Sequence, residues 1–380
     1  TAAEISCLSE IMQNSGVEKY YLFKQIEFNF IAGNYMKTIE LFKNTKFDIK
    51  TIDLAEKSQI FAGIALYNTG NYFDSYKYLG DQKIQKLLDK QSFYTLAYSA
   101  YKIGKLQESW KLFTMIETDE YYSGNIKKIK KDIYVKLGEL NLAAAEYGKA
   151  IENFKNAYEY DKSDTMVLVK LAESYYNSKS FSAASEIFKK LGDVVLSSAD
   201  LSLQYGWSLY YIGKESEAAS YLAAGAVKTA DYNELLKIAE LSEKYLPPEK
   251  IIELYVIARN LFKNYDLNKK LGDLFLKQND WLNAARQYNI YLSEKPKNRE
   301  MLEKLIKIYE QLGNKNELLK CMDELLKFDN SDYSKIKSAA DLYFDMNDLK
   351  KSKEYYEKYV VLNKNDSESL IRLSRIFYET

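Results

Sequence analysis

Histidine is absent from this 380-residue sequence, and cysteine occurs only twice, as Cys7 and Cys321. Without histidine, metal sites and acid–base pairs lose their commonest residue, and neither cysteine has an imidazole to activate it. The sequence also lacks the glycine-rich runs that cradle phosphates, GxxxxGK followed by Ser or Thr, or GxGxxG after a strand. We therefore predict no catalytic residue, no metal site and no cofactor within this sequence, and hence no enzyme activity.

Neither sign of charge is in excess, because Lys and Arg together number 54 and Asp and Glu together also number 54. Nucleic-acid binding requires clustered surplus cations, so no nucleic-acid partner is predicted. The densest basic run holds Lys127, Lys128, Lys130 and Lys131, and we interpret it as a solvated helix face. A membrane-spanning helix takes about 18 or more consecutive apolar residues, and no such run is present. We therefore predict no membrane insertion within these residues.

The cellular compartment stays open between cytoplasm and periplasm. No signal peptide is visible, but the first residue is Thr1 rather than Met, so we expect that the natural start is missing, which leaves open an upstream anchor or signal. At the other end, residues 367–380 supply a single helix of a pair, and we expect the natural chain to continue. Cys7 and Cys321 lie at opposite ends of the sequence, so no disulfide is expected and the redox compartment also stays open.

Proline and glycine are scarce, with 3 and 15 copies, too few for the many tight turns of an all-β protein. Tyrosine is abundant instead, with 35 copies. The sequence also repeats itself at a fixed interval. Units of 34 residues begin at Lys131, Thr165, Ala199, Tyr265, Arg299 and Tyr333, and a partial unit opens at Ser367. A 34-residue period in a helical sequence resembles the tetratricopeptide repeat family.

The residues within each unit strengthen this resemblance. In the family's pattern the eighth place is small and the twentieth is small or alanine, which lets two antiparallel helices approach closely. The eighth places hold Gly138, Ala172, Gly206, Gly272, Ala340 and Ser374. The twentieth places hold Ala150, Ala184, Ala218 and Ala284. In the unit at Lys131, large residues such as Tyr134 and Phe154 fill the space beside the small ones.

The resemblance implies an all-α fold, a right-handed superhelical solenoid of antiparallel helix pairs with about ten units. Less regular units are expected over residues 1–130, regular units over 131–246, and C-terminal units over 247–380, all in one continuous solenoid whose last unit is incomplete. Residues 124–130 are an insertion that we expect to lengthen a helix. Pro247–Pro248 falls at a turn, and it is either a divergent turn or a kink that splits the solenoid into two arms.

In the family, the first helix of each unit lines a concave groove. The corresponding places here are apolar and aromatic toward the N-terminus and charged in the last units, for example at Lys269 and Asp273. The predicted partner-binding residues are Ile64, Tyr67, Tyr94, Tyr98, Tyr101, Tyr176, Leu203, Trp207, Tyr210 and Tyr211. The alternative is that these rings pack against the next first helix, although for the cluster at residues 207–211 we expect exposure. We interpret the charged C-terminal places as a solvated surface rather than a carboxylate clamp.

These residues predict a protein–protein interaction scaffold that binds a partner helix or an extended segment through aromatic anchors. Many bacterial members of the family belong to envelope, motility or secretion assemblies. The resemblance therefore implies an assembly of this kind as the expected setting. Two alternatives to the scaffold stay open at this point. In the first, the chain is a substrate-recruiting or regulatory arm of a larger enzyme. In the second, it is a structural protein that associates with itself.

Overall fold

The computed structural model describes residues 15–48, 51–328 and 332–379. Over these residues it contains helices and no strand, which confirms the predicted all-α class. The chain folds as two compact units, Thr1–Leu191 and Gly192–Thr380. The divisions that we predicted at residues 130 and 246 stay predictions.

The first unit holds eleven helices among its described residues. They are α1 (Ser15–Ile31), α2 (Tyr35–Asn44), α3 (Ile52–Asn68), α4 (Tyr72–Leu79), α5 (Gln82–Gln85), α6 (Lys90–Lys102), α7 (Leu106–Ile116), α8 (Glu120–Ala143), α9 (Tyr147–Tyr160), α10 (Thr165–Asn177) and α11 (Phe181–Leu191).

The second unit holds twelve α-helices among its described residues, and a 3₁₀ turn at Ala226–Lys228. They are α12 (Asp193–Leu196), α13 (Ala199–Tyr211), α14 (Glu215–Gly225), α15 (Tyr232–Tyr245), α16 (Pro248–Phe262), α17 (Leu267–Lys277), α18 (Trp281–Glu294), α19 (Arg299–Leu312), α20 (Lys315–Leu326), α21 (Tyr333–Asp345), α22 (Leu349–Leu362) and α23 (Ser367–Glu379).

Successive helices pack as pairs, and the small residues at the eighth places explain how closely they pack. A Cβ atom added to Gly138 would lie 2.7 Å from Cε1 of Phe154, and one added to Gly272 would lie 2.4 Å from Cε1 of Tyr288. Each glycine therefore makes room for a large residue from the second helix of its own pair. The alanines at the twentieth places, Ala150, Ala184, Ala218 and Ala284, are fully buried.

The turn between the two helices of a pair also repeats. In every pair except α15–α16, one residue of the turn adopts a positive φ, a backbone region that favours glycine because a Cβ crowds the following carbonyl oxygen. These residues are Gly33, Gly70, Gly104, Ala145, Lys179, Gly213, Asn279, Gly313 and Asn347. From Ala145 to Gly213 and again from Asn279 to Asn347 they follow one another at 34-residue steps. The repeat is therefore visible in the backbone even where the glycine itself is replaced.

Side-chain caps fix where many of the helices begin. An Asp or Asn side chain at the cap position accepts a hydrogen bond from a backbone N–H of the first turn, which would otherwise lack a partner. The first helices of pairs are capped in this way by Asp89, Asp119, Asp164, Asp231, Asn298 and Asp332. The second helices are capped by Asn71, Asp280, Asn314 and Asp348.

Two irregular stretches have different outcomes. The insertion at residues 124–130 lies inside α8, a single helix of 24 residues, as the sequence predicted. Pro247 is the cap of α16 and Pro248 is its first residue, where a missing N–H costs nothing. Helices α15 and α16 lie in the same compact unit. Whether the proline pair also acts as a kink between two arms stays a prediction.

Helix α23 packs on α22 through part of its apolar surface. Its buried apolar side chains are Leu373 and Ile376, which join Ala340 and Tyr356 in one cluster. Leu370 and Phe377 on the same helix are 44% and 54% exposed. No helix among the described residues covers that face.

Candidate binding surface

Tyrosines on two successive first helices form a continuous row in the first compact unit. Tyr94, Tyr98 and Tyr101 lie on one face of α6, because residues four and three apart are neighbours on a helix. The ring of Tyr98 lies 6.1 Å from that of Tyr94 and 5.7 Å from that of Tyr101. Tyr67, in the last turn of α3, meets Tyr98 edge to face at 5.6 Å between centroids. The structure therefore brings four of the predicted binding residues together.

Two tyrosines that the sequence prediction missed extend this row at either end. Tyr72, the first residue of α4, lies 5.7 Å from Tyr67 and 6.2 Å from Tyr98 between ring centroids. Tyr122, near the start of α8, stacks on Tyr94 at 4.9 Å. We call the six residues Tyr67, Tyr72, Tyr94, Tyr98, Tyr101 and Tyr122 the tyrosine ladder. Tyr72 belongs to a turn motif and Tyr122 precedes the first regular repeat, so neither stood at a groove place in the sequence pattern.

Every ring of the tyrosine ladder is half-buried, because each ring packs against the next. These residues therefore pack between helices and also keep part of each ring exposed. Burial raises the pKa of Tyr67 to about 12, and the neighbouring tyrosine hydroxyls act in the same direction. Burial also raises the pKa of Tyr94. At neutral pH both hydroxyls keep their protons and are available as hydrogen-bond donors.

Charged side chains border the tyrosine ladder at its α8 end. The hydroxyl of Tyr101 donates to the carboxylate of Asp132, and Lys136 donates to the same hydroxyl at 2.9 Å. Lys102 lies over three rings, with its Nζ 5.4 Å from the ring centroid of Tyr98, 5.8 Å from that of Tyr72 and 6.0 Å from that of Tyr101. Cations above aromatic faces are attracted by the ring quadrupole.

Two of the predicted residues, Ile64 and Tyr176, are not part of the tyrosine ladder. Ile64 is buried in the core cluster of this unit, which leaves its side chain inaccessible to a partner. Tyr176, in the last turn of α10, is half-buried and meets Phe181 edge to face at 5.9 Å. Of the residues predicted in this unit, Tyr67, Tyr94, Tyr98 and Tyr101 are therefore the ones that share a surface.

In the second unit, the expected exposure of Trp207 is wrong, since only 6% of this residue is exposed. Its Nε1 donates to the Glu234 carboxylate at 2.7 Å, and the Lys237 ammonium lies 4.9 Å from its ring centroid. Both partners lie on α15, the next first helix, which covers the indole. Tyr210 is half-buried and also lies beneath Lys237, whereas Tyr211 is 55% exposed.

Leu203 is half-buried and packs within its own pair of helices. A Cβ atom added to Gly225 on α14 would lie 2.6 Å from Cγ of Leu203. Leu203 thus belongs mostly to the packing of α13 on α14. Tyr211 and part of Tyr210 are what remains accessible of the predicted cluster in this unit.

The charged first helices near the C-terminus pair with one another. The Lys304 ammonium lies 2.5 Å from the Asp273 carboxylate on the preceding first helix, and Arg372 lies 2.9 Å from Asp341 in the same arrangement. The second helix of each pair adds a tyrosine hydroxyl, so that Tyr288 donates to Asp273 at 2.5 Å. These charges therefore join neighbouring pairs to each other.

The basic run on α8 is not the solvated face that we expected. Lys130 is 2% exposed, and its ammonium lies 2.5 Å from the Glu117 carboxylate and 4.9 Å from the ring centroid of Trp110. Lys131 bridges the carboxylates of Asp161 and Asp164 at 2.7 and 2.6 Å. Since these two lysines are held by intramolecular partners, only Lys127 and Lys128 remain as a solvated pair.

Three further findings concern metal binding, membranes and the cysteine thiol. No group of three or more Cys, Asp or Glu side chains there is arranged to hold a metal ion. No helix over residues 15–48, 51–328 and 332–379 is long and apolar enough to cross a membrane. Cys321 is buried, and burial raises the pKa of its thiol to about 12, which suppresses the reactive thiolate. Cys7 lies outside the described residues.

Comparison with protein-family models supports the repeat assignment. The family model for the tetratricopeptide repeat matches residues 269–317. Among solved structures, the structure of Naa15/Naa10 bound to HypK-THB is similar over 95% of this chain and 61% of that chain, with 14% identity and a TM-score of 0.39. This chain thus spans less than two thirds of that one. No curated protein matches the sequence.

Two further solved structures are similar over shorter stretches. The TPR2AB-domain:pHSP90 complex of yeast Sti1 has 13% identity and a TM-score of 0.33, covering 66% of this chain and 97% of that chain. The pilF protein of Pseudomonas aeruginosa has 18% identity and a TM-score of 0.28, covering 54% of this chain and 94% of that chain.

Proposed function

We propose that this chain, an array of tetratricopeptide-type helix pairs, is a protein–protein interaction scaffold whose tyrosine ladder receives a segment of a partner protein. The observation that carries the proposal is the row of half-exposed rings on α3, α6 and α8. Tyrosine is typical of the residues that dominate interface energies, because it offers a large apolar face and a polar tip.

The arrangement of the ladder supports binding in two ways. Each ring is held in place by its neighbours, as Tyr94 is by Tyr98 and Tyr122, so a partner does not have to order mobile side chains. The ion-paired helices near the C-terminus have no comparable row of rings at their described groove places. We therefore assign the contact to the first unit, with Tyr211 as a further accessible anchor in the second. We propose a larger assembly as the setting, with the bacterial envelope, motility or secretion as the expected processes.

Substitution of Tyr98 tests this function. After the partner has been isolated from the organism that makes the protein, identified and purified, its affinity for the full chain is measured by calorimetric titration. We expect Tyr98→Ala to weaken binding about 30-fold, since a hot-spot residue contributes about 2 kcal/mol or more. Tyr98→Phe keeps the ring and should cost less than Tyr98→Ala.

The control is Tyr378→Ala, which removes a side chain that is 93% exposed on α23 and leaves the tyrosine ladder intact. We expect it to bind as the unaltered chain does. Helical content is followed by circular dichroism for each variant. Wild-type affinity in a folded Tyr98→Ala variant would show that the partner binds elsewhere.

A further inference from the structure

Five of the six hydroxyls of the tyrosine ladder, all except that of Tyr101, have no hydrogen-bond partner within the described part of the chain. Three of the five belong to Tyr67, Tyr94 and Tyr98, whose rings are half-buried. A tyrosine hydroxyl that leaves water usually finds an acceptor, so a bound segment must offer acceptors at these three points. The main-chain carbonyls of a helix are used within the helix. An extended polyproline II segment makes no internal hydrogen bonds and presents its carbonyls.

The angles between neighbouring rings point to the same conformation. The ring planes of Tyr67 and Tyr98 are inclined by 81°, and those of Tyr98 and Tyr101 by 57°. Rings at such angles present faces and edges in turn along the row instead of one flat apolar wall. Partly exposed aromatic faces of this kind suit prolines, whose polyproline II conformation is already formed before binding and so costs little entropy.

A cation without an acidic partner lies in the middle of the ladder. Lys102 is exposed, and in residues 15–48, 51–328 and 332–379 no carboxylate forms an ion pair with it. Three other lysines on or beside α6 and α8 are paired: Lys90 with Asp119 at 2.9 Å, Lys105 with Glu108 at 3.7 Å, and Lys136 with Asp132 at 3.0 Å. A carboxylate on the bound segment would complete this pattern of charges.

We infer that the tyrosine ladder binds an extended, proline-containing segment of a partner protein and that an acidic side chain of this segment pairs with Lys102. This inference rests on the proposed function, because it names the class of segment that the same surface takes. Tyrosine hydroxyls donate to the free carbonyls of the segment, and its prolines pack on the exposed parts of the rings. The carboxylate sets the register of the segment along the ladder.

The test uses three fluorescein-labelled twelve-residue peptides and the full chain, with binding followed by fluorescence anisotropy. One peptide is polyproline with a central Asp, the second has Asn in place of Asp, and the third is an alanine-rich amphipathic helix with a central Asp. We expect the Asp polyproline peptide to bind most tightly. The Asn peptide should bind about threefold more weakly, in the range of an exposed ion pair.

Variants separate the parts of the inference. Lys102→Ala should abolish the difference between the Asp and Asn peptides. Lys111→Ala removes another exposed lysine, on α7, and should preserve that difference. Tyr98→Phe should weaken binding of the polyproline peptide, because it removes a hydrogen-bond donor and keeps the ring. A helical peptide does not use this donor, so its affinity should not change.

Several results would overturn the inference. Tighter binding of the helical peptide would refute an extended ligand, and equal affinities for the Asp and Asn peptides would refute the pairing with Lys102. If no peptide binds while the purified natural partner still requires Tyr98, the ligand class is wrong and the proposed function stands. If the natural partner also ignores Tyr98, both fail.

Discussion

Replacing Tyr288 with alanine is expected to lower the free energy of unfolding of the second unit by about 4 kcal/mol, as for other large buried aromatic side chains. Tyr288 is fully buried, and its ring lies against the backbone at Gly272, where a Cβ atom would come within 2.4 Å of it. Removing the ring therefore leaves a cavity between α17 and α18. The hydroxyl also donates to Asp273 at 2.5 Å, and this bond would be lost.

Two controls divide this effect into its parts. Tyr288→Phe keeps the ring and removes only the hydroxyl, so it should cost about 1.5–3 kcal/mol, the range of a hydrogen bond to a charged group. Tyr378→Ala removes an exposed ring and should change stability by less than about 0.5 kcal/mol. Urea denaturation followed by circular dichroism gives the free energies. Hydrogen exchange should show the loss of protection centred on α17 and α18, because each repeat contacts only its neighbours.

A loss below about 1 kcal/mol for Tyr288→Ala would contradict the tight approach of α17 and α18, because cavities of this size in a rigid core cost several times more. An effect spread evenly over the second unit would instead contradict the nearest-neighbour character of its stability.

The second large effect is expected at the buried ion pair of the first unit. Glu117→Ala should lower the free energy of unfolding by about 3 kcal/mol, because it leaves the Lys130 ammonium buried without a carboxylate. Lys130 is 2% exposed. Apart from Glu117, the group among the described residues that interacts with its ammonium is the ring of Trp110, whose centroid lies 4.9 Å away. The Trp110 indole N–H itself has no hydrogen-bond partner among the described residues, so it gives the region no compensating polar contact.

The matched variant is Lys130→Met, which removes the buried charge and keeps a chain of similar length. Lys130→Met leaves the Glu117 carboxylate unpaired, but this side chain is 33% exposed and can be hydrated, so we expect a loss of about 1 kcal/mol, smaller than that of Glu117→Ala. Combining Glu117→Ala with Lys130→Met should restore most of the stability that Glu117→Ala alone loses. Thermal and urea unfolding of the four proteins supply the comparison. Equal losses for Glu117→Ala and Lys130→Met would show that the lysine stem, rather than its charge, is what the site requires.

The features that repeat were the ones that the sequence predicted well. The eighth and twentieth places predicted where helices approach, and the structure packs Phe154 against Gly138 and Tyr288 against Gly272. The insertion before residue 131 lengthens α8, as its position between regular units suggested. Such features depend on contacts within one pair of helices, and the spacing of residues along the chain determines these directly.

The features that failed depend on contacts between pairs. Trp207 stands at a groove place, yet Glu234 and Lys237 of the next first helix cover it. Lys130 lies in a lysine-rich run that is typical of a solvated helix face. It is nevertheless buried and paired with Glu117, at the end of the preceding helix α7. The 34-residue spacing does not specify which side chains of the next first helix cover a given ring or charge. That depends on the angle at which one helix pair packs against the next.

Only part of the tyrosine ladder was predicted, because only some of its residues share one helix face. Tyr94, Tyr98 and Tyr101 share a helix face, so spacing alone predicts that they lie together. Tyr72 and Tyr122 reach the same surface from a turn and from an irregular helix start, where no repeat pattern applies. A signal was present nonetheless, since each is a large aromatic residue at the first turn of a helix that adjoins α6. Searching helix starts as well as groove places would have found both.

Oxidative footprinting of tyrosine side chains with and without saturating partner tests the central claim most directly. If the tyrosine ladder is the binding surface, partner binding should reduce the modification rates of Tyr67, Tyr94 and Tyr98 several-fold. The rate at Tyr378, which is 93% exposed on α23, should stay unchanged. Unchanged rates at the three ladder tyrosines, with protection appearing elsewhere on the chain, would contradict the assignment of this surface.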